Sequence, residues 1–130
     1  KSGVRLSADV AALAAGDAKQ LAVLVWHYHD DDVSGPDANV KLALDGLALK
    51  DGNATLTHYR IDADHSNSYE AWKRMGSPQQ PTPEQFKQLE KSGQLAMLGK
   101  PESVRIQSGK TSLEMKLPRQ AVALVLLEWP

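Results

Sequence analysis

Apolar and polar residues alternate, turn by turn, along most of this chain, and the alternation predicts strands. Gln20 to His29, QLAVLVWHYH, is rich in Val, Leu and aromatics and reads as a strand. Leu21, Val23 and Val25 point one way and Ala22, Leu24 and Trp26 the other, so both faces are apolar. That predicts a central strand covered on both sides. Before it, Val10 to Ala15 (VAALAA) is helical by propensity alone. The turn-prone Gly16-Asp17 makes it the first arm of a β-hairpin instead. Asn39 to Gly46 alternates, with Val40, Leu42 and Leu44 inward, and Ala54 to Ile61 is the next strand. Ser103 to Gln107, Ser112 to Leu117 and Ala121 to Trp129 complete a count of about seven strands. Short strands with turn chemistry between them predict a mostly β fold, a two-sheet antiparallel sandwich of fibronectin type III-like form.

The period changes once, near 67–93. Asn67 with Glu70 fits a helix N-cap, as in a capping box. Tyr69, Trp72 and Met75 form one apolar stripe at i, i+3, i+6, and Gly76 is the stop. Thr82 as N-cap, Pro83 at the first helical position and Gln85 open a second helix. Phe86 and Leu89 give that helix its inner face, and Gly93 ends it. The chain is thus expected to be one sandwich domain over 1–130 with a two-helix insertion reaching about residue 98.

Composition narrows the function classes. The formal charge is −1, so no basic face recommends nucleic acid or an anionic membrane. No apolar run approaches the roughly 20 residues of a membrane span. There are no cysteines, which excludes disulfides and leaves the compartment unassigned beyond a soluble chain. The N-terminal KSGVRLSADV is neither an initiator Met nor a signal peptide and reads as the interior of a longer chain.

Three constellations could carry chemistry. His27 and His29 share a strand face and Asp30, Asp31 and Asp32 follow, which could begin a metal site with His58 or His65 as a third ligand. A polar strand end explains the same residues more simply, so neither a metal nor another cofactor is expected. Asp62, Asp64 and Glu70 are the best carboxylate cluster. Hydrolysis of a glycosidic bond needs two carboxyls about 5 Å apart for retention, or roughly 6.5–9.5 Å for inversion. Bracing the strand-to-helix turn is the stronger reading of Asp62 and Asp64. Tyr69 and Trp72 could form a stacking platform for sugar rings, although helical spacing beside Met75 is first a packing signal.

The long mixed motif from His58 to Gln85 carries a resemblance. His58-Tyr59-Arg60-Ile61-Asp62, His65-Ser66-Asn67-Ser68-Tyr69, Trp72, Met75-Gly76-Ser77-Pro78-Gln79 and Pro81-Thr82-Pro83-Glu84-Gln85 resemble the C-terminal region of family 39 glycoside hydrolases. The resemblance is nearer to bacterial β-xylosidases and more distant to α-L-iduronidase. Leu21 to Trp26 with Tyr28, Asp31 and Asp32, and Leu124 to Trp129, resemble the same family. The resemblance implies a parent with a catalytic (β/α)₈ barrel bearing two glutamates. Such an enzyme would be bacterial, work with retention and release xylose from xylo-oligosaccharides. It also implies a C-terminal β-sandwich packed on that barrel. No glutamate here matches the barrel's catalytic positions, so no catalytic residue is expected in these 130 residues. The expected role is a non-catalytic accessory domain that stabilises the barrel. His65, Asn67, Tyr69, Trp72 and Met75 are the candidates for docking or sugar contact. A carbohydrate-binding module for xylo-oligosaccharides and an oligomerisation domain are the alternatives.

Overall fold

The computed structural model describes residues 10–28 and 35–130. Eight strands and two helices follow in order: β1 (Val10–Gly16), β2 (Gln20–His27), β3 (Ala38–Leu44), β4 (Gly52–Ile61), α1 (Ser68–Arg74), α2 (Pro83–Ser92), β5 (Ala96–Met97), β6 (Glu102–Ile106), β7 (Thr111–Leu117) and β8 (Val122–Glu128). All pairings are antiparallel. The larger sheet runs β1-β2-β8-β4, and both β6 and β5 pair along the remaining edge of β4. The smaller sheet is β3 paired with β7. The expected antiparallel sandwich is therefore present, divided six and two. The strand that periodicity misses is β5, whose two residues are too few to show alternation.

VAALAA forms a strand, because pairing with the strongly β-prone run after the turn overrides its weak helical preference. The turn is tight. Asp17 Oδ1 accepts from the Lys19 and Gln20 N–H groups at 2.8 and 3.1 Å. A Cβ on Gly16 would lie 2.6 Å from the Gln20 carbonyl oxygen, so glycine is required there. Trp129 locks this end, donating from Nε1 to the Ala18 carbonyl at 2.8 Å.

The core lies between the sheets. Val23, Val25, Ala123 and Val125 of the larger sheet meet Leu113 and Leu117 of the smaller, with Val40 and Leu42 packed alongside. Leu47, Ala54, Ile106, Leu127 and Trp129 extend it toward one end. The expectation that β2 is covered on both sides is corrected here. Its inner face (Val23, Val25, His27) is buried, but the small sheet covers only that side. Leu24 on the other face is exposed and Trp26 half-buried.

Candidate functional site

The turn where β4 gives way to α1 is polar and closely hydrogen-bonded. Leu56, His58 and Arg60 face the core side of β4, opposite Leu127, Val125 and Ala123 of β8. Arg60 is a buried cation, only 6% exposed. Its Nη2 donates to the Lys116 carbonyl of β7 at 3.1 Å and contacts His58 Nε2 at 3.5 Å. Its Nη1 lies 3.8 Å from Asp62 Oδ2, while Nε has no hydrogen-bond partner among the described residues. Arg60 therefore ties the large sheet to the small one, with Asp62 as its counter-charge.

Asp62 organises the turn itself. Its Oδ1 accepts from the Asp64 N–H at 2.8 Å and from His65 Nδ1 at 2.7 Å. Backbone bonds between Asp62 and His65 close the loop in both directions. Ser66 adopts φ 57°, and its hydroxyl donates to the Arg60 carbonyl at 2.8 Å and accepts from the Ala96 N–H at 2.7 Å. One hydroxyl thus joins the start of the helical excursion to its return. Asn67 donates to the Asp62 carbonyl at 3.1 Å and caps α1, accepting from the Glu70 N–H at 3.0 Å. The reciprocal half of a capping box is absent among the described residues, because Glu70 pairs with Lys73 at 2.9 Å. The box is complete in α2, between Thr82 and Gln85.

These contacts settle what the carboxylates do. Asp62 and Asp64 brace the turn, as their positions in the sequence suggest; Asp64 also pairs with Arg74 at 2.7 Å. With Glu70 bound to Lys73, every member of the cluster has a structural partner. Burial alone would raise the Asp62 pKa. The hydrogen bonds from His65 and the Asp64 N–H, with the nearby His65 and Arg60 charges, outweigh it and hold the carboxyl below its ordinary range. His58 is also shifted down, first by burial and then by the Arg60 charge. An unprotonated Nε2 is what an approaching Arg60 N–H needs as acceptor.

The two depressed values act at different pH. A histidine harder to protonate in the fold than in the unfolded chain costs stability as pH falls below its ordinary 6.5. Asp62 contributes stability above its ordinary 3.8 and loses it as pH falls through its lower folded value. Urea midpoints are therefore expected to fall in two steps on acidification. His58→Gln should flatten the step that begins near 6.5 and leave the later one. A profile unchanged by His58→Gln would contradict the assignment.

The helical excursion is an arm with little core of its own. Neither helix contains a buried residue. Tyr69 is 63% exposed; Trp72 stacks on it at 5.8 Å and Lys73 Nζ lies 4.9 Å from its ring centre. Trp72 Nε1 donates to the Pro78 carbonyl at 2.9 Å, folding the Pro-bounded linker back on α1. Met75 is half-buried at the C-cap. Phe86 does not form the inner face expected of it; it is exposed, and Leu89 is half-buried. The helices meet where Ser68 Oγ donates to the Leu89 carbonyl at 2.8 Å, in contact with the bare α-carbon of Gly93.

Of the residues that could begin a metal site, His27 is 2% exposed and its Nδ1 donates to the Leu117 carbonyl at 3.0 Å. It is a core histidine. His29 and Asp30 to Asp32 lie outside the described residues. Among the described residues no group of three or more His, Asp or Glu could hold a metal ion, and no helix is long and apolar enough to cross a membrane. Arg60 and Ser66 are the members of this site that sequence reasoning passed over. Arg60 at the inward register of β4 was the available signal, since a cation there must find a buried partner.

Residues 4–107 match the family model described as glycosyl hydrolases family 39. No curated protein matches the chain. A family 39 enzyme from Xanthomonas axonopodis pv. citri has the same fold, with TM-score 0.76 and 21% identity over 90% of this chain and 25% of its own. A bacterial orthologue of human α-L-iduronidase matches with TM-score 0.76 and 22% identity over 93% of this chain and 22% of its own. A monomeric β-xylosidase from Caulobacter crescentus CB15 matches with TM-score 0.67 and 25% identity, over 90% of this chain and 26% of its own. The chain thus spans about a quarter of the length of the structures it matches.

Proposed function

The chain belongs to glycosyl hydrolase family 39, and from that premise we propose that it is the family's accessory β-sandwich, a domain that stabilises a catalytic barrel and does no chemistry itself. The observation that carries this reading is the state of the carboxylates. Retaining hydrolysis needs one carboxyl as nucleophile and one as acid/base, both facing a sugar cleft. Here Asp62, Asp64 and Glu70 are each held by a neighbouring His, Arg or Lys in a braced turn. The family implies a barrel in the parent chain, and the parent's reaction would be release of xylose from xylo-oligosaccharides. The Caulobacter relative is described as monomeric. Carried over, that property makes the rest of such a chain, rather than a second copy, the neighbour of this sandwich.

His65 and Asn67 serve the arm's own geometry, so Tyr69, Trp72 and Met75 are the members of the expected docking set left to meet a partner. A sugar platform at Tyr69 and Trp72 is less well supported, because the tyrosine ring already holds both Trp72 and Lys73. The 130 residues alone are expected to release no chromophore from an aryl xyloside. Xylo-oligosaccharides should leave tryptophan fluorescence unchanged. Turnover that is saturable and lost on Asp62→Asn would overturn the reading. A saturable fluorescence change abolished by Trp72→Ala would favour the binding module.

A further inference from the structure

We infer that the barrel docks on the outer face of the six-stranded sheet, and that this face rather than the helical arm forms the main interdomain contact. The inference rests on the accessory-domain reading above and adds the surface. Residues paired across antiparallel strands share a face. The register therefore builds a row across five strands: Leu13, Leu24, Leu124, Tyr59 and Met97. The row on one side of it is Ala11, Trp26, Val122 and Ile61. On the other side lie Ala15, Ala22, Leu126 and Thr57. Thr57 is the one polar member, and no member is charged. Among the described residues Leu13 is 65% exposed, Met97 42%, Ile61 41% and Leu24 37%, while Trp26, Tyr59, Val122, Leu124 and Leu126 are half-buried and Thr57 is buried.

A free-standing sheet alternates apolar in with polar out, and strands apolar on both faces occur where a second layer covers them. Here β2 and β8 are apolar on both faces, and the small sheet supplies only the inner layer. Contiguous apolar surface of this kind marks an interaction site. The edge strand β1 adds to this. It has no charge and no proline to block further pairing. The matched structures place roughly three quarters of their chain outside this fold, so a covering layer of sufficient size is available within one polypeptide. A second copy pairing edge to edge through β1 would leave the five-strand row uncovered. A barrel's outer helices would cover it.

The test uses the parent chain with its barrel, and the 130 residues alone as a control for folding. Leu13→Lys with Leu24→Lys changes two exposed side chains and should leave the thermal midpoint of the 130 residues within about 3 °C. In the barrel-bearing chain the same pair should speed proteolytic cleavage between the domains by about tenfold or more. Tyr69→Ser with Phe86→Ser, on the arm, should leave cleavage slow. If the double lysine variant unfolds the 130 residues, Leu13→Gln with Leu24→Gln is read in its place. Slow cleavage in the sheet-face variant with fast cleavage in the arm variant would overturn this inference while sparing the accessory-domain reading. Fast cleavage in the unaltered chain would overturn that reading itself. Sedimentation of the 130 residues as a dimer, broken by the lysine pair, would name a second copy as the occupant and also overturn the inference.

Discussion

Asp62→Ala is expected to destabilise the chain by about 3 kcal/mol, because it leaves the buried Arg60 without its counter-charge and the turn without its acceptor. Three groups lose a partner together, Arg60, His65 and the Asp64 N–H, and the turn that presents the Asp62 carbonyl to Asn67 loses its brace. At this chain length that should lower the thermal midpoint by roughly 10 °C. Asp62→Asn keeps an oxygen for the Asp64 N–H and should cost about half as much. Combining Asp62→Ala with Arg60→Met removes the stranded charge, so the double variant should lose less than the two single losses summed. Because the Asp62 carboxyl is held below its ordinary pKa, the gap between parent and Asp62→Ala should close as pH falls toward that range. A constant gap down to strongly acid pH would mean that the charge has no part in it.

Leu117→Ala should cost about 3–4 kcal/mol, while Leu13→Ala should stay within about 0.5 kcal/mol. The residue type is the same and the strands are both regular, so only position differs. Leu117 is fully buried between the sheets, against the Val23–Val25 and Ala123–Val125 faces, and its carbonyl receives His27 Nδ1. Truncation would leave a cavity that two packed sheets cannot close. Leu13 lies on the uncovered face of the edge strand β1. Urea unfolding of both variants, compared at equal m-value, checks the contrast. A large loss at Leu13 in the 130 residues would mean that the outer face is already covered within the chain.

The same pair shows what the sequence made legible. Alternation in NVKLALDG and SLEMKL located β3 and β7, because a half-buried strand writes its burial into a period of two. The caps of both helices were readable at Asn67, Thr82 and Pro83, since capping is local chemistry. Sheet assignment was not readable. Nothing in β6 and β7 says that the turn between them crosses from the large sheet to the small one. LAVLVW in β2 announces two apolar faces truthfully, but it does not say whether the second cover belongs to the same 130 residues. Periodicity alone places Phe86 on an inner face, and a two-helix arm without a core has no inner face deep enough to hide it. At the site, Asp62 and Asp64 were legible as turn braces because side chains of this kind bond their own loop. Arg60 and Ser66 were missed because their partners, Lys116 and Ala96, lie 56 and 30 residues away.

The proposed role of these residues is to stabilise a catalytic barrel without taking part in its reaction. The half-life of aryl-xyloside hydrolysis at a fixed elevated temperature, measured for the parent barrel with and without them, tests it most directly. A longer half-life is expected when they are present, with no turnover from the 130 residues alone. An unchanged half-life, or turnover from the isolated residues, would contradict it.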